Sequence, residues 1–312
     1  MEFLRLLEGI RSPFLDTVIG LITQLGEETV GIIVLCAIFW CISKRMAYGI
    51  GITYFLSGLT VQGAKILFRI DRPWIADPTL SPVSSALDHA TGYSFPSGHA
   101  QSAAALFGSL GVQIRKLAAR IALFAIAALV AFSRLYLGVH TPLDVGVSLL
   151  ISAAFIAVAV VIGKGRKANR TKELIISACM TAYAIAVIVI AAILYSQGKI
   201  DRVYVSDCLK AAGAGIGFAV GMFIERVYID FSVKSKNVWW QILKYVAGLA
   251  GVMAIKEGLK LVIGTGLAVD TIRYFLMLAW VTVFFPLIIK KFFTYQEPRK
   301  KRKNKKKKRK HK

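Results

Sequence analysis

Charge is what this chain has least of. Only 18% of its 312 residues are Asp, Glu, Lys or Arg, and the acidic share is smaller still, 17 carboxylates against 40 basic side chains. A soluble globular domain keeps about a quarter of its residues charged, so the composition excludes a soluble fold for the chain as a whole. Cysteine is scarce too: Cys36, Cys41, Cys179 and Cys208 sit in or beside apolar segments without C-x-x-C spacing. Neither a zinc site nor a disulfide framework is signalled, and the four read as small core hydrophobes. The opening Met-Glu-Phe-Leu-Arg-Leu-Leu lacks the basic region, long apolar core and small-residue cleavage site of a signal peptide, so the mature chain is expected to start near Met1. What remains is apolar, with 56% hydrophobic residues and a mean hydropathy of +0.61, the balance of a membrane-embedded protein.

The net charge of +23 would point to nucleic acid in a soluble protein, but 12 of the 40 basic residues lie between Arg299 and Lys312, and without that run the net charge is +11. A terminal run of like charge beside a last hydrophobic span suits anionic lipid headgroups, and no folded basic domain accompanies it. Nucleic acid is therefore excluded as a partner.

A bilayer core about 30 Å thick needs roughly 20 apolar helical residues. Nine stretches meet that need, approximately 24–43, 46–68, 97–114, 117–137, 142–163, 174–195, 208–229, 241–263 and 270–290. The expected fold is all-α, a polytopic helical bundle of about nine spans. Residues 1–22 read as an amphipathic interfacial helix, with Phe3, Leu4, Leu7, Ile10, Phe14 and Leu15 on one face and Glu2, Arg5, Glu8 and Arg11 charged. The expected organisation is that helix, core spans over 23–165, accessory spans over 170–295 and a disordered polybasic tail over 296–312. Basic residues in short loops mark the cytoplasmic side: Lys44 and Arg45; Arg115, Lys116 and Arg120; Lys164 through Lys172; Arg226, Lys234 and Lys236; and the tail. Odd spans then end inside, and loops 69–96, 138–141, 196–207 and 264–269 lie outside. Arg69 and Arg72 in the first outer loop break this pattern, for which a phosphate ligand is a local reason.

Three patterns fall on that outer side. Lys65 and Arg72-Pro73 form K-x6-R-P at the end of the second stretch, Pro96-Ser97-Gly98-His99 opens the third, and Ser133-Arg134, His140 and Asp144 make S-R-x5-H-x3-D across the fourth and fifth. Together they resemble the signature of the type-2 phosphatidic acid phosphatase superfamily, over roughly residues 44–165. The layout is similar to its sphingosine-phosphate phosphatase and bacterial undecaprenyl-diphosphate phosphatase branches.

The chemistry is also legible from the residues. With a helix starting at Thr141-Pro142, Asp144 lies close enough to His140 to accept one imidazole N–H and leave the other nitrogen nucleophilic. Thr141, Pro142 and Asp144 equally make an N-terminal cap, and both roles are compatible. Ser97 and Gly98 open a helix whose free N–H groups favour an anion, and His99 there suits a general acid. Lys65, Arg72 and Arg134, with Ser133, would hold phosphoryl oxygens, although each cation alone also reads as a snorkelling flank residue. The resemblance implies a phosphohistidine on His140 hydrolysed by water, with no metal and no cofactor. Arg69, Asp71 and Trp74 are expected to shape the pocket mouth, with a membrane-interface belt as the other role for Trp74.

Beyond the motifs, Gly213, Gly217 and Gly221 form a G-x3-G-x3-G stripe that serves internal packing or a homodimer. Lys256, Glu257 and Lys260 interrupt an apolar stretch, either as a Glu257–Lys260 pair or as a headgroup contact or lateral gate. Glu27 and Glu28 pose the same choice. The reading that results is a cell-membrane, multi-pass lipid phosphate or diphosphate phosphatase. Its site faces the extracytoplasmic side, its C-terminus is cytoplasmic and its substrate comes from the bilayer. A lipid phosphotransferase using the same histidine and a non-catalytic lipid binder or transporter are the competing classes.

Overall fold

The computed structural model describes residues 1–88, 90–163 and 169–293. The polybasic tail expected from 296 onward, and residues 164–168 of the basic loop before it, lie outside the described residues. Among the described residues the fold is all helix, without a strand. The helices are α1 (Glu2–Gly9), α2 (Pro13–Gln24), α3 (Glu28–Ala37), α4 (Lys44–Phe68), α5 (Pro73–Ala76), α6 (Gly98–Ala103), α7 (Ser109–Gln113), α8 (Leu117–Tyr136), α9 (Pro142–Gly163), α10 (Arg170–Ser196), α11 (Arg202–Ile224), α12 (Val238–Met253), α13 (Leu259–Ile263), α14 (Leu267–Ala279) and α15 (Phe285–Ile288). Single π-helical turns extend or join several of them, including Ala104–Gly108 between α6 and α7 and Ala254–Gly258 between α12 and α13.

Local chemistry explains where the helices start. Ser43 caps α4 by accepting from Met46 N, Asn169 caps α10 through Thr171 N and Lys172 N, and Asn237 caps α12 through Trp240 N. The expected helix over 1–22 is two helices instead, because Ser12 takes an extended backbone, accepts from Leu15 N and places Pro13 at the first position of α2.

Six segments are long and apolar enough to cross a membrane, Lys44–Ala76, Leu117–Tyr136, Pro142–Gly163, Arg170–Ser196, Arg202–Ile229 and Leu267–Phe293. A seventh results if Pro13–Gln24 and Glu28–Ile42, bent by 49° at their break, form one span. Two of the nine expected stretches fall short of that measure. The helix from Gly98 to Gln113 has sixteen residues, about 24 Å at 1.5 Å per residue. The one from Val238 to Ile263 carries Lys244, Lys256, Glu257 and Lys260.

Helix α11 is the spine that joins the two halves, packing on α14 and α10 and, across the molecule, on α4. Its glycine stripe is used internally. A Cβ on Gly217 would lie 2.6 Å from Phe275 O and 3.0 Å from Leu278 Cβ, and one on Gly213 would strike the backbone of Thr271. Backbone cannot step aside as a flexible side chain can. Gly217→Leu is therefore expected to lower thermal stability in detergent by at least about 1–3 kcal/mol, the usual cost of overpacking. Gly146→Ala, whose new methyl would meet nothing within 4 Å, is expected to leave the melting temperature unchanged or higher. Equal shifts in the two variants would remove the packing argument.

Beneath the loops at the His140 end of the bundle a polar ladder ties three helices together. Ser57 donates to Thr53 O, Gln101 Nε2 donates to Ser57 Oγ at 2.7 Å, and Ser152 Oγ donates to Gln101 O at 3.2 Å and to Ser148 O. This fixes α4, α6 and α9 in one register, and these helices carry three of the expected site segments. At the opposite end of the bundle Arg45 donates to Gly163 O, while Lys44 bonds buried Glu225 at 2.9 Å and Asp230 at 2.6 Å.

Candidate active site

His140 sits in the tight connection between α8 and α9 and is 1% exposed. The α9 start is a reciprocal cap: Asp144 Oδ2 accepts from Thr141 N at 2.7 Å, and Thr141 Oγ1 accepts from Asp144 N at 3.3 Å. The same Oδ2 lies 3.5 Å from His140 Nδ1, so capping and facing the histidine coexist. That separation exceeds a hydrogen bond, and catalytic contacts often tighten only in the substrate complex. Asp144 is further held by Ser94, whose hydroxyl donates to Oδ2 at 2.6 Å.

The other ring nitrogen is defined by Arg72. Its Nη1 lies 2.9 Å from His140 Nε2, and a guanidinium can only donate, so Nε2 carries the lone pair and Nδ1 carries the proton. Arg72 is itself fixed by three carbonyls, Gly92 O through Nε, Val139 O through Nη1 and Thr91 O through Nη2. Burial, and then the neighbouring Arg72, Arg134, Lys65 and His99, push the His140 imidazole well below the ordinary histidine range. A neutral, oriented imidazole is the form that attacks an electrophile.

Lys65, on the last turn of α4, donates to Tyr93 O at 2.6 Å. Arg69 just beyond it takes a left-handed conformation (φ 52°) that ends the helix. Arg134 is fully buried; its Nη1 donates to Thr23 Oγ1 at 2.7 Å, while Nε and Nη2 have no hydrogen-bond partner among the described residues. Ser97 caps α6, with its amide on Asp144 O and its Oγ accepting from Ala100 N. Ser133 spends its hydroxyl on Val130 O within its own helix.

A cavity of about 480 Å³ opens over this cluster, with Lys65, Arg72, Gly98, His99 and His140 in its wall. Ser97, Ser133, Arg134 and Asp144 are not part of that lining. A side chain added at Gly98 would meet nothing within 4 Å, so the start of α6 faces open space. The cavity continues between apolar side chains such as Ile32, Leu35 and Leu106, and reaches Asp207, Lys210, Lys256 and Tyr274 of the C-terminal half. Arg69 is turned away from the cavity toward Lys199 O, and Trp74 packs beside Ala86 and Tyr136 with the Arg72 guanidinium 5.8 Å from its ring. Among the described residues no group of three His, Cys, Asp or Glu side chains is placed to share a metal ion.

Several participants escaped the sequence reading. Ser94 lies only two residues before the P-S-G-H motif, so its position was the available signal. Thr23 carried none, being 111 residues from Arg134. Three of the charged residues expected on the polar face of an interfacial helix instead bond within the protein: Arg5 bonds Asp77 at 2.7 Å, Glu8 accepts from Ser81 N at 3.0 Å, and Arg11, between α1 and α2, donates to Tyr136 O and Ser81 O. Thr79 and Arg5 hold the half-buried Asp77 carboxyl down at about 2.

The chain is similar to two known proteins. The chain is 30% identical over 162 residues to a probable sphingosine-1-phosphate phosphatase of Dictyostelium discoideum, an alignment that takes in 47% of this chain and 38% of that protein. The chain thus spans well under half the length of this curated relative. A crystal structure of Aquifex aeolicus LpxE is 27% identical, with a TM-score of 0.44, covering 51% of this chain and 93% of the other. Residues 45–168, which hold all three motifs, match the PAP2 superfamily, and residues 209–297 match the transmembrane extension of PAP2 superfamily phosphatases. The last three accessory stretches, expected to lie outside the recognisable core, therefore fall within the same resemblance, while 174–195 lies between the two matches, and the chain belongs to the PAP2 superfamily.

Proposed function

We propose that the protein is a membrane lipid phosphate phosphatase that works through a phosphohistidine on His140, without a metal, with its site on the extracytoplasmic side. The observation that carries this reading is the Arg72–His140–Asp144 arrangement, set in the wall of a cavity that runs on between apolar helices. His140 Nε2 attacks phosphorus, the bond to the lipid oxygen breaks, and His99 gives that oxygen its proton. Water then attacks the phosphohistidine, passing a proton back to His99, and phosphate leaves. Lys65, Arg72 and Arg134 stabilise the negative charge that spreads over the phosphoryl oxygens; Arg134 has two buried nitrogens available for this. Ser97 and Gly98 add the start of α6. The orientation is supported by the basic residues Lys44, Arg45 and Arg226, which gather at the end of the bundle remote from His140. The similarity to the Dictyostelium relative, a probable sphingosine-1-phosphate phosphatase, supports a lipid phosphate as the substrate class.

The test is phosphate release by the purified full chain in detergent with EDTA, across undecaprenyl diphosphate, phosphatidic acid, phosphatidylglycerol phosphate and sphingosine phosphate, with a rapid quench for phosphoenzyme. Release that survives EDTA, through an acid-labile and base-stable phosphoenzyme, is expected. Loss of release in EDTA, or an acid-stable adduct, would overturn the mechanism. Transfer to an added acceptor in preference to water would make the protein a phosphotransferase.

A further inference from the structure

A second cavity, of about 180 Å³, lies at the end of the bundle remote from His140, walled by α4, α7, α9 and the π-helical turn Glu225–Ile229 that follows α11. Ser109 lines it. That residue is 2% exposed, yet its hydroxyl has no hydrogen-bond partner among the described residues. Burying an unpaired hydroxyl is unfavourable, so a partner is expected from whatever fills the cavity. Along α4 the lining runs from Arg45 to Thr53, about 12 Å at 1.5 Å per residue.

The charge on this wall has one sign. Arg45 and Arg226 line the cavity, and among the described residues no carboxylate does. The carboxylates nearby are already engaged: Lys44 bonds both Glu225 and Asp230, and buried Glu173 faces Arg226 at 2.7 Å. Arg226 is further held with its guanidinium 4.8 Å from the Tyr48 ring. Arg45 has only a carbonyl, Gly163 O at 3.0 Å, which leaves most of its five donors open and its charge unbalanced. A cation would therefore be repelled, and an anion drawn in. The rest of the lining is apolar, with Ile52 buried at the back and Val112 and Val160 exposed on the flank of the bundle. Water would bond the Ser109 hydroxyl but would bring no charge to Arg45 and would wet that apolar wall. An anionic group attached to hydrocarbon meets both halves of the lining.

We propose that Arg45, Ser109 and Arg226 form a second anion site, separate from the His140 cavity, that takes the phosphate headgroup of an anionic membrane lipid from the leaflet at that end of the bundle. Arg45 and Arg226 donate to the phosphate oxygens, the Ser109 hydroxyl completes the set, and the first part of the lipid tail lies against Ile52, Val112 and Val160. Such a lipid would bridge α4, α7 and α9. Thr53, at the deep end of the cavity, donates to Gly49 O and Phe155 O, and its own carbonyl starts the polar ladder through Ser57 and Gln101. Occupancy would therefore stabilise the same helices that carry the motifs.

The experiment titrates the purified full chain in neutral detergent with short-chain phosphatidylglycerol, with phosphatidylcholine of equal chains and with inorganic phosphate, read by calorimetry and by melting temperature. The polybasic tail also attracts anionic lipid, but it is the same in every variant, and Ser109→Ala leaves the charge unchanged. Phosphatidylglycerol is expected to bind at least about tenfold more tightly than phosphatidylcholine, and Ser109→Ala and Arg45→Gln each to weaken it by about fivefold or more. Without lipid Ser109→Ala is expected to melt at the wild-type temperature or above, because it removes only an unpaired hydroxyl; with saturating phosphatidylglycerol wild type gains more. Binding indifferent to Ser109→Ala, equal affinity for phosphatidylcholine, or a lower melting temperature of Ser109→Ala without lipid would overturn the site. Displacement of the lipid by inorganic phosphate at equal concentration would assign the cavity to free phosphate and overturn the lipid. None of these readouts needs turnover, so they stand whether or not His140 is the nucleophile.

Discussion

His140→Ala is expected to reduce phosphate release to background, a loss of at least about 10⁴-fold, because the other imidazole in the cavity wall, His99, serves the leaving-group proton in this mechanism and not the covalent phosphoryl group. The imidazole is small and fully enclosed, so the variant should still fold, and gel filtration with circular dichroism checks that. Residual release above a hundredth of wild type would place the nucleophile elsewhere. The same histidine predicts a pH effect on stability. Burial holds its folded pKa well below the ordinary value, so below about pH 6.5 the unfolded chain takes up a proton that the folded one refuses. Stability is then fully present above that pH and falls as pH drops toward the folded value. A melting series from pH 7.5 to 5.5 should decline more steeply for wild type than for His140→Asn; parallel declines would mean that the imidazole is not held neutral.

The second large effect is expected from Asp144→Asn, a fall in kcat of about 10² to 10⁴-fold with little change in KM. Asparagine keeps a side-chain oxygen that accepts hydrogen bonds, so it can keep the contacts with Thr141 N and Ser94 Oγ. What it loses is the charge that opposes the His140 Nδ1 proton and stabilises the imidazolium character developed on phosphoryl transfer. A structural role alone would lower the melting temperature and leave kcat per folded molecule intact. Ser94→Ala, which removes only the hydroxyl that steadies the carboxylate, is expected to cost about tenfold or less, since one ordinary hydrogen bond is worth about 1 kcal/mol.

Much of the site was readable because its parts are local. The pairing of Thr141 with Asp144, and the approach of Asp144 to His140, depend on positions three and four apart at a helix start, where backbone geometry alone sets which side chains meet. Ser97 at the opening of α6 is legible for the same reason. Arg72 is a different case. Its residue type suggested a phosphate ligand, but its contact with His140 Nε2 spans 68 residues and depends on how the loop after α4 folds back over α9. Lys256 shows the opposite error of emphasis. With Glu257 and Lys260 it fell in a stretch read either as a self-neutralising Glu257–Lys260 pair or as a headgroup contact or lateral gate, and Glu257 and Lys260 are exposed while Lys256 lines the cavity.

The helical fold, the membrane composition and the family signature were determined by the sequence alone, because each follows from residue type and spacing along one segment. The tertiary structure decided the rest. It split the first 24 residues into two helices and used their charges to fasten loop 77–81. It also buried the glycine stripe of α11 against α14, and joined the motif half and the C-terminal half around one cavity. Those outcomes depend on contacts between residues far apart in the chain, where packing of whole helices rather than local preference selects which side chains share a space.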